Sequence, residues 1–543
     1  MEKNIIYSGE YEKKLENISF GEFILESLNK GGYREFLING ETGQIWTYVD
    51  ALRETKKIAN CLYSFGIKRN DKIAIISENR HEIAAIHLAS FCLNSIVAPI
   101  NFSYTSREIK HALKLSQPRI VFVSNLSATP AIDAYKGLDF VEKIVHFDKL
   151  SSDDCAIALN DFVAKYKKNN FNLEEIVNQP IDIYSQSALI YLSSGTTGLP
   201  KGCELTQGNV FFTLRQYIDI QETFEHFQKF NRILNIAPWF HLLGFGNLFF
   251  SVISSQFANV YLSKFCPMLF LRTIEKYKII SMVAPPPIVL FLAKHPLVDQ
   301  FNLSSLRYLT SGGAPLGKEV ENEIKSRFKG NLHIFQLYGM TEILAATVFF
   351  KIENSVQQSV GIILKGVYAK VIDSNGVTLG PNKVGELCFK GPNVMKGYVG
   401  DPKATTETID KDGWLHTGDL GYYDENFYFF IVDRLKELIK YKGFQIAPAE
   451  IEALLLSHPK IKDAGVIGIP NDVAGELPFA FVVKQPNIEL TEDEVKDFIA
   501  QNASKEKWLR GGVKFIEEVP KNPSGKILRR ELRETYKTIK SNL

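Results

Sequence analysis

Short runs rich in β-branched residues alternate with helical stretches from Asp71 to Phe328, and this alternation limits the folds open to the chain. Asp71–Asn79 (DKIAIISEN), Arg119–Ser124 (RIVFVS), Ala188–Ser194 (ALIYLSS) and Arg232–Pro238 (RILNIAP) read as strands, and KIISMVAPP and LRYLTSGGAP follow the same form. SREIKHALKLS and GKEVENEIKSRF read as helices between them. Strand–helix alternation predicts an α/β fold with parallel sheets. In such sheets ligands bind beyond the carboxyl ends of strands, so the loops that follow strands carry the functional signal.

With 543 residues the chain exceeds what one hydrophobic core usually supports, and at least two domains are expected. The C-terminal part has a different rhythm. APAEIEALLLSHP and TEDEVKDFIAQNA read as helices, the second opened by a capping box from Thr491 to Glu494. DAGVIGIP, PFAFVVK and GVKFIEEVP read as strands. The expected division is a large α/β domain over residues 1–433 and a small α+β domain over residues 434–543, meeting in VDRLKELIKYKG.

A net charge of +2 provides no field to steer nucleic acid. Six dispersed cysteines show neither CxxC nor zinc-type spacing, which points to a reducing, intracellular setting. The first residues, MEKNIIYSGEYEKKLE, contain no apolar signal-type run. The most apolar stretch, Leu242–Ile253, is too short and interrupted for a membrane span. The partners expected are therefore small molecules, and oligomeric state stays open. The ending Ser541-Asn542-Leu543 differs from the peroxisomal Ser-Lys-Leu address by its middle residue, leaving cytosol and peroxisome both open.

The richest loop follows ALIYL: Ser193, Ser194, Gly195, Thr196, Thr197, Gly198, then Pro200 and Lys201. Its glycines let the backbone turn with N–H groups exposed. Its hydroxyls donate to phosphate oxygens, and Lys201 adds a point charge. A Walker A loop needs Gly-Lys-Ser/Thr running straight into a helix. Here Pro200 precedes the lysine and Gly202 follows it, so a flap over β- and γ-phosphates is expected, not a helix-end cradle.

YLSSGTTGLPKG resembles the phosphate loop of the adenylate-forming superfamily: acyl-CoA synthetases, coumarate–CoA ligases and firefly luciferase. SGGAPLGKEV, QLYGMTE, GELCFKGP, DGWLHTGDLGYYDE, VDRLKELIKYKGFQIAPAEIE and PKNPSGKILRREL extend the resemblance over nearly the whole chain. It looks most like the insect luciferase-like branch. The resemblance implies a mobile C-terminal domain and a reaction in two steps, with ATP, Mg²⁺ and coenzyme A. A carboxylate attacks the α-phosphate and expels pyrophosphate, and a thiol then attacks the acyl-adenylate.

The resemblance also implies roles. Tyr338 stacks adenine, Thr341 contacts the α-phosphate and Glu342 holds Mg²⁺; Gln336 and Gly339 belong to the same ATP motif. Gly312, Gly313, Ala314 and Pro315 wall adenine and the acyl pocket, before a helix expected near Pro315. Asp419 and Arg434 bind the ribose. Lys526 bridges the acyl carboxylate and the α-phosphate. Lys440 faces the adenylate in the second step while Gly443 lets the coenzyme A arm pass, with a hinge near Asp433–Lys436. His241 lines the site beside the carboxylate and gates the acyl tunnel.

The acid pocket departs from firefly luciferase. Counting from Lys201, Thr213 stands where that enzyme has an arginine that holds luciferin through water, and Arg215 lies two positions on, facing elsewhere on a helix. After the glutamate, Ile343, Leu344, Ala345 and Ala346 form an apolar wall where luciferase has polar groups. An alkyl chain is satisfied there at roughly 0.8 kcal/mol per buried methylene, which leads to a medium- or long-chain fatty acid. The alternative is a luciferase, which forms the same adenylate before reacting with O₂. An amino-acid-adenylating module ranks lower, because APWFHLLGFG lacks the acidic residue that would hold an amine.

Overall fold

The computed structural model describes residues 4–11, 19–148, 156–193, 200–222, 232–348, 356–442, 444–471, 473–522 and 525–541. Two α/β sheets form the body of the molecule. The first has eight strands, in the order 397–398, 201–206, 187–193, 96–100, 72–76, 120–123, 143–146 and 156–158. From Ser187–Ser193 to Ala156–Ala158 every pairing is parallel. The second has seven strands, in the order 333–336, 308–311, 281–284, 232–235, 258–261, 35–39 and 45–47, parallel up to the final hairpin. The central strands Lys72–Ile76, Ile96–Ile100 and Ile120–Val123 are almost wholly buried. Their near-continuous apolar sequence reflects helices covering both faces.

Helix His81–Cys92 is buried all round. It packs with helices Phe20–Gly31 and Leu242–Ser254 through an aromatic cluster. Phe20–Phe91, Phe91–Phe249 and Phe20–Phe249 centroids lie 5.0, 5.2 and 6.1 Å apart, within the range where ring pairs add to the hydrophobic gain. The apolar run Leu242–Ile253 is thus core. No helix among the described residues is long and apolar enough to cross a membrane.

A third sheet has no counterpart in the strand–helix reading. Strands 6–7, 368–372, 385–390, 415–423 and 429–434 pair antiparallel throughout. The helix expected near Pro315 begins at Lys318, with Gly317 as its N-cap. Gln336 accounts for the delay: its Oε1 accepts the Leu316 N–H at 2.9 Å and keeps the preceding residues extended.

The chain leaves the antiparallel sheet at Arg434 and enters a separate one at Ile439. That last sheet runs 444–446, 439–441, 475–484 and 461–471, with Gly512–Phe515 alongside 475–484. Helices Pro448–Ser457 and Glu492–Asn502 cover it, the latter with the expected Thr491–Glu494 capping box. Its core, around Ile451, Val466, Val482 and Ile499, is distinct from those of the larger sheets. The two bodies touch where Lys294 Nζ donates to the Leu456 carbonyl and where Gly317 backs onto Ala453.

Candidate active site

Four neighbouring parallel strands of the second sheet release their C-terminal ends at one edge. Asn235 leads into Pro238–His241, Ala284 into Pro285–Pro287, Ser311 into Gly312–Pro315, and Gln336 into Leu337–Glu342. His241, Gly312–Pro315, Tyr338, Gly339, Thr341 and Glu342, all singled out from sequence, lie in these loops, for the reason anticipated: parallel strands end together.

The loop after Gln336 is folded tightly on itself. Ala346 N–H returns to the Tyr338 carbonyl at 3.0 Å, and Tyr338 N–H is held by Thr347 Oγ1 at 3.1 Å. Gly339 makes this possible, because a side chain there would collide with the backbone of Leu344 and Ala345. Ile343, Ala345 and Ala346 are buried. Asn393 Nδ2 donates to the Ala345 carbonyl at 2.7 Å. Gly313 adopts φ +88°, a conformation that favours glycine, and is exposed at the same edge while Gly312 packs against Leu337.

In the first sheet, Ser193 and Lys201 face each other across an antiparallel pair of strands, Ser187–Ser193 and Lys201–Thr206. The loop is therefore the connection of a hairpin, which excludes a Walker A cradle. Ser194, Gly195, Thr196, Thr197 and Gly198 lie outside the described residues. Glu342 is 3% exposed. Its Oε1 accepts from Ser193 Oγ at 2.6 Å and from Tyr398 OH at 2.8 Å. Lys201 Nζ sits 4.9 Å from the centre of the Tyr398 ring, a cation–π distance. Burial, and then the Glu342 carboxylate, push the Tyr398 phenol well above its ordinary value, so it stays a donor. The Thr341 carbonyl is held by the Cys203 thiol at 3.2 Å and that of Glu342 by Met395 N–H at 2.8 Å. Tyr398 was missed from sequence; a lone tyrosine near Gly397 and Gly400 offers little signal. The short strand Gly397–Tyr398, paired with Lys201–Thr206, brings it in.

Asp419 is 5% exposed. Asp419 and Arg434 lie directly opposite each other in the antiparallel sheet, with Arg434 Nε 3.2 Å from Asp419 Oδ1. Tyr338 OH donates to Asp419 Oδ2 at 2.7 Å. Burial raises the Asp419 carboxyl above its usual range, and Arg434, Tyr338 and Lys526 oppose that rise.

Lys526 reaches this group from the second domain. Burial, and then the Arg434 guanidinium, lower its ammonium to about 8, while Asp419 and Glu437 act the other way. Its loop is a turn in which Lys526 N–H donates to Asn522 Oδ1 and Asn522 N–H to the Lys526 carbonyl, both at 2.9 Å. Gly525 lies so close to Pro285 and Pro287 that an added Cβ would stand 3.1 Å from either ring. Three residues on, Arg529 makes a buried bidentate pair with Glu452, Nη2 lying 2.8 and 2.7 Å from the two oxygens. This pair, also unread in the sequence, ties the lysine loop to helix Pro448–Ser457. Asp433 Oδ2 accepts the Ala449 N–H at the start of that helix.

Other expected residues stand apart from this group. Lys440 is exposed, and among the described residues no side-chain bond joins it to Asp419, Arg434 or Lys526. Gly443 lies outside the described residues, as do Asn542 and Leu543. Thr213 is buried, and its hydroxyl donates to the Asn209 carbonyl at 2.9 Å, one turn back along its own helix. Arg215 pairs with Asp219 at 3.5 Å. His241 is half-buried beside Phe240, and desolvation lowers it to about 4, so it is neutral at pH 7. Asn79 and Tyr191 pin its loop, bonding to the Trp239 backbone at 2.8 and 2.9 Å.

Parallel strand ends carrying glycine-rich loops, faced by a small α+β domain that inserts a lysine turn, define the architecture of adenylate-forming enzymes. The AMP-binding enzyme family model matches residues 26–399 and the AMP-binding enzyme C-terminal domain matches residues 450–526. The chain belongs to this family.

Luciferin 4-monooxygenase of Photuris pensylvanica is 38% identical over 550 residues, covering 100% of each chain. 4-Coumarate–CoA ligase 2 of Nicotiana tabacum is 39% identical over 521 residues, covering 94% of this chain and 93% of that protein. Among solved structures, ATP-bound MatB from Rhodopseudomonas palustris superposes with a TM-score of 0.83 at 26% identity, and apo MatB with 0.73 at the same identity. Both cover 96% of this chain and 99% of theirs. The overall arrangement here is thus nearer to MatB with ATP than without it.

Proposed function

We propose that the protein joins a carboxylic acid to coenzyme A through an acyl-adenylate. The observation that carries this reading is the position of Lys526, inserted among Asp419, Arg434 and the strand-end loops. In the first half-reaction a carboxylate oxygen attacks the α-phosphorus and pyrophosphate leaves. Both reactants are anions, so a fixed ammonium between them lowers the barrier by electrostatics and positioning. Asp419 accepts from the ribose hydroxyls, and Arg434 keeps it charged. Tyr338 and Gly312–Pro315 flank the base, while Thr341, Lys201 and the Ser193–Gly198 loop handle the phosphates.

The Glu342 donor set fits Mg²⁺: one buried carboxylate, oriented by two hydroxyls, leaves the remaining positions to phosphate oxygens and water. The ion would neutralise charge on the phosphates there. In the second half-reaction the thiolate sulfur attacks the acyl carbonyl, AMP leaves, and the thiol proton passes to solvent. Rotation about Asp433–Lys436 would then exchange Lys526 for Lys440, with Gly443 beside the incoming coenzyme A.

The acid we propose is a medium- or long-chain fatty acid. The Ile343–Ala346 segment is apolar, with Leu344 its partly exposed member, and the neutral His241 places no charge beside the chain. A panel of fatty acids assayed for thioester with ATP, Mg²⁺ and coenzyme A tests this; no turnover at any chain length overturns it. Full-length identity to luciferin 4-monooxygenase supports a second reading, adenylation of a luciferin followed by O₂-dependent emission. Light from a luciferin and ATP well above the uncatalysed signal would favour it.

A further inference from the structure

We propose that Glu386, Cys388 and His416 form a second site, for a thiophilic divalent cation, with Zn²⁺ as the best fit. Glu386 and Cys388 lie two apart on the strand Gly385–Lys390, and His416 is the direct cross-strand partner of Cys388 on Leu415–Tyr423. Residues two apart on a strand share a face, so the antiparallel pairing gathers three different ligand types. Among the described residues this is the group of three whose ligand atoms fall within 4.8 Å of one another.

The separations suit a shared ion. His416 Nδ1 is 3.2 Å from Glu386 Oε2 and 3.6 Å from Cys388 Sγ. Tetrahedral zinc, with bonds of about 2.0–2.1 Å to N or O and about 2.3 Å to S, sets N and O about 3.4 Å apart and N and S about 3.6 Å apart. The ligands are also oriented from behind. Asp410 Oδ2 lies 3.5 Å from His416 Nε2, the carboxylate support that metal-bound imidazoles commonly have. Glu386 Oε1 accepts the Gly418 N–H at 3.0 Å, which leaves Oε2 turned to the imidazole. Cys388 is buried against Ile372 and Trp414, whereas Glu386 and His416 are half-buried, so the fourth position opens to water.

Thiolate with imidazole selects Zn²⁺ or Cd²⁺ over Mg²⁺, which keeps this site chemically separate from Glu342. Binding replaces the Cys388 thiol proton, which is released to solvent as the S–metal bond forms. Apart from the metal, the same atoms make a plain hydrogen-bonded group, in which Nδ1 meets Glu386 Oε2 and Cys388 Sγ and Nε2 meets Asp410 Oδ2.

The test uses the full chain after treatment with a chelator. Zn²⁺ is added with calorimetric readout, and Co²⁺ separately with absorption readout. One Zn²⁺ per chain is expected, and Co²⁺ should produce a near-ultraviolet thiolate charge-transfer band. Cys388→Ser should abolish the band. Cys388→Ser, His416→Gln and Glu386→Gln should each weaken Zn²⁺ binding by at least the roughly 10–100-fold that loss of a supporting group behind a ligand costs. Thermal melting checks that each variant is folded. Glu386→Gln retains an oxygen for Gly418, and keeps the test open if Cys388→Ser fails to fold. No stoichiometric Zn²⁺ uptake, or uptake unchanged in the folded variants, overturns the proposal.

Discussion

Replacing Lys526 by arginine and by alanine distinguishes a charge that titrates from one that is merely present. Burial and Arg434 bring the Lys526 ammonium to about 8. It is then roughly nine-tenths protonated at pH 7 and about one-tenth protonated at pH 9. If only the ammonium form supports adenylation, kcat/KM falls about tenfold between those values. The sign follows from the charge: lysine loses its proton as pH rises, so the loss is on the alkaline limb. Bound ATP is anionic and restores the proton, so the limb in kcat lies further to alkaline than that in kcat/KM.

Lys526→Arg retains a charge that does not titrate in this range. Its rate should be lower, because a planar guanidinium sits differently, but its alkaline limb should vanish. Lys526→Ala removes a unit charge from the α-phosphate. At about 4 Å and an effective dielectric near 20 this is worth about 4 kcal/mol, roughly a thousandfold in rate. Pyrophosphate release without coenzyme A isolates the step. An alkaline limb that persists in Lys526→Arg, or a wild-type profile flat to pH 10, would refute the reasoning.

Lys440→Ala should leave pyrophosphate release within a fewfold of wild type and abolish thioester formation; equal loss of both half-reactions removes the division of labour between the lysines. Tyr398→Phe deletes a bond to Glu342 and should raise the Mg²⁺ concentration needed for half-maximal adenylation, at a cost of about 1.5–3 kcal/mol, read from Mg²⁺ titrations; an unchanged requirement rejects it as a positioning residue. Arg529→Met leaves Glu452 buried and unpaired, and should destabilise the C-terminal domain by about 3–5 kcal/mol, with Glu452→Leu added to it recovering much of the loss; denaturant unfolding reads both. Gly339→Ala forces a methyl group onto the Leu344 and Ala345 backbone, and should raise the KM for ATP even where the protein still folds.

The division between local and distant information explains which residues were legible. The parallel strands, the helix Ser106–Ser116 and the Thr491–Glu494 capping box follow from runs of neighbouring residues, and each is found where the pattern predicts it. The strand-end loops were legible for the same reason, because each glycine or hydroxyl cluster abuts its strand. The antiparallel sheet of residues 6–7 and 368–434 was not read, since its pairing spans loops of differing length and joins segments far apart in the chain. Tyr398 beside Glu342, and Arg529 against Glu452, depend on partners 56 and 77 residues away. No periodicity encodes such pairs.

The amino-acid sequence by itself determined that this chain is an α/β protein whose glycine- and hydroxyl-rich loops follow strands, and that it resembles adenylate-forming enzymes. The resemblance named both Lys526 and Lys440, and only the tertiary structure decided which of them is docked at the candidate site here. Lys526 lies in a turn and Lys440 on the strand Ile439–Tyr441, and nothing in their local sequence separates the two charges. Only the docking of the small domain, through Gly525 on Pro285 and Pro287, brings Lys526 to Asp419 and leaves Lys440 exposed. The physical reason is that charge acts through distance in space, and that distance is set where the two domains touch.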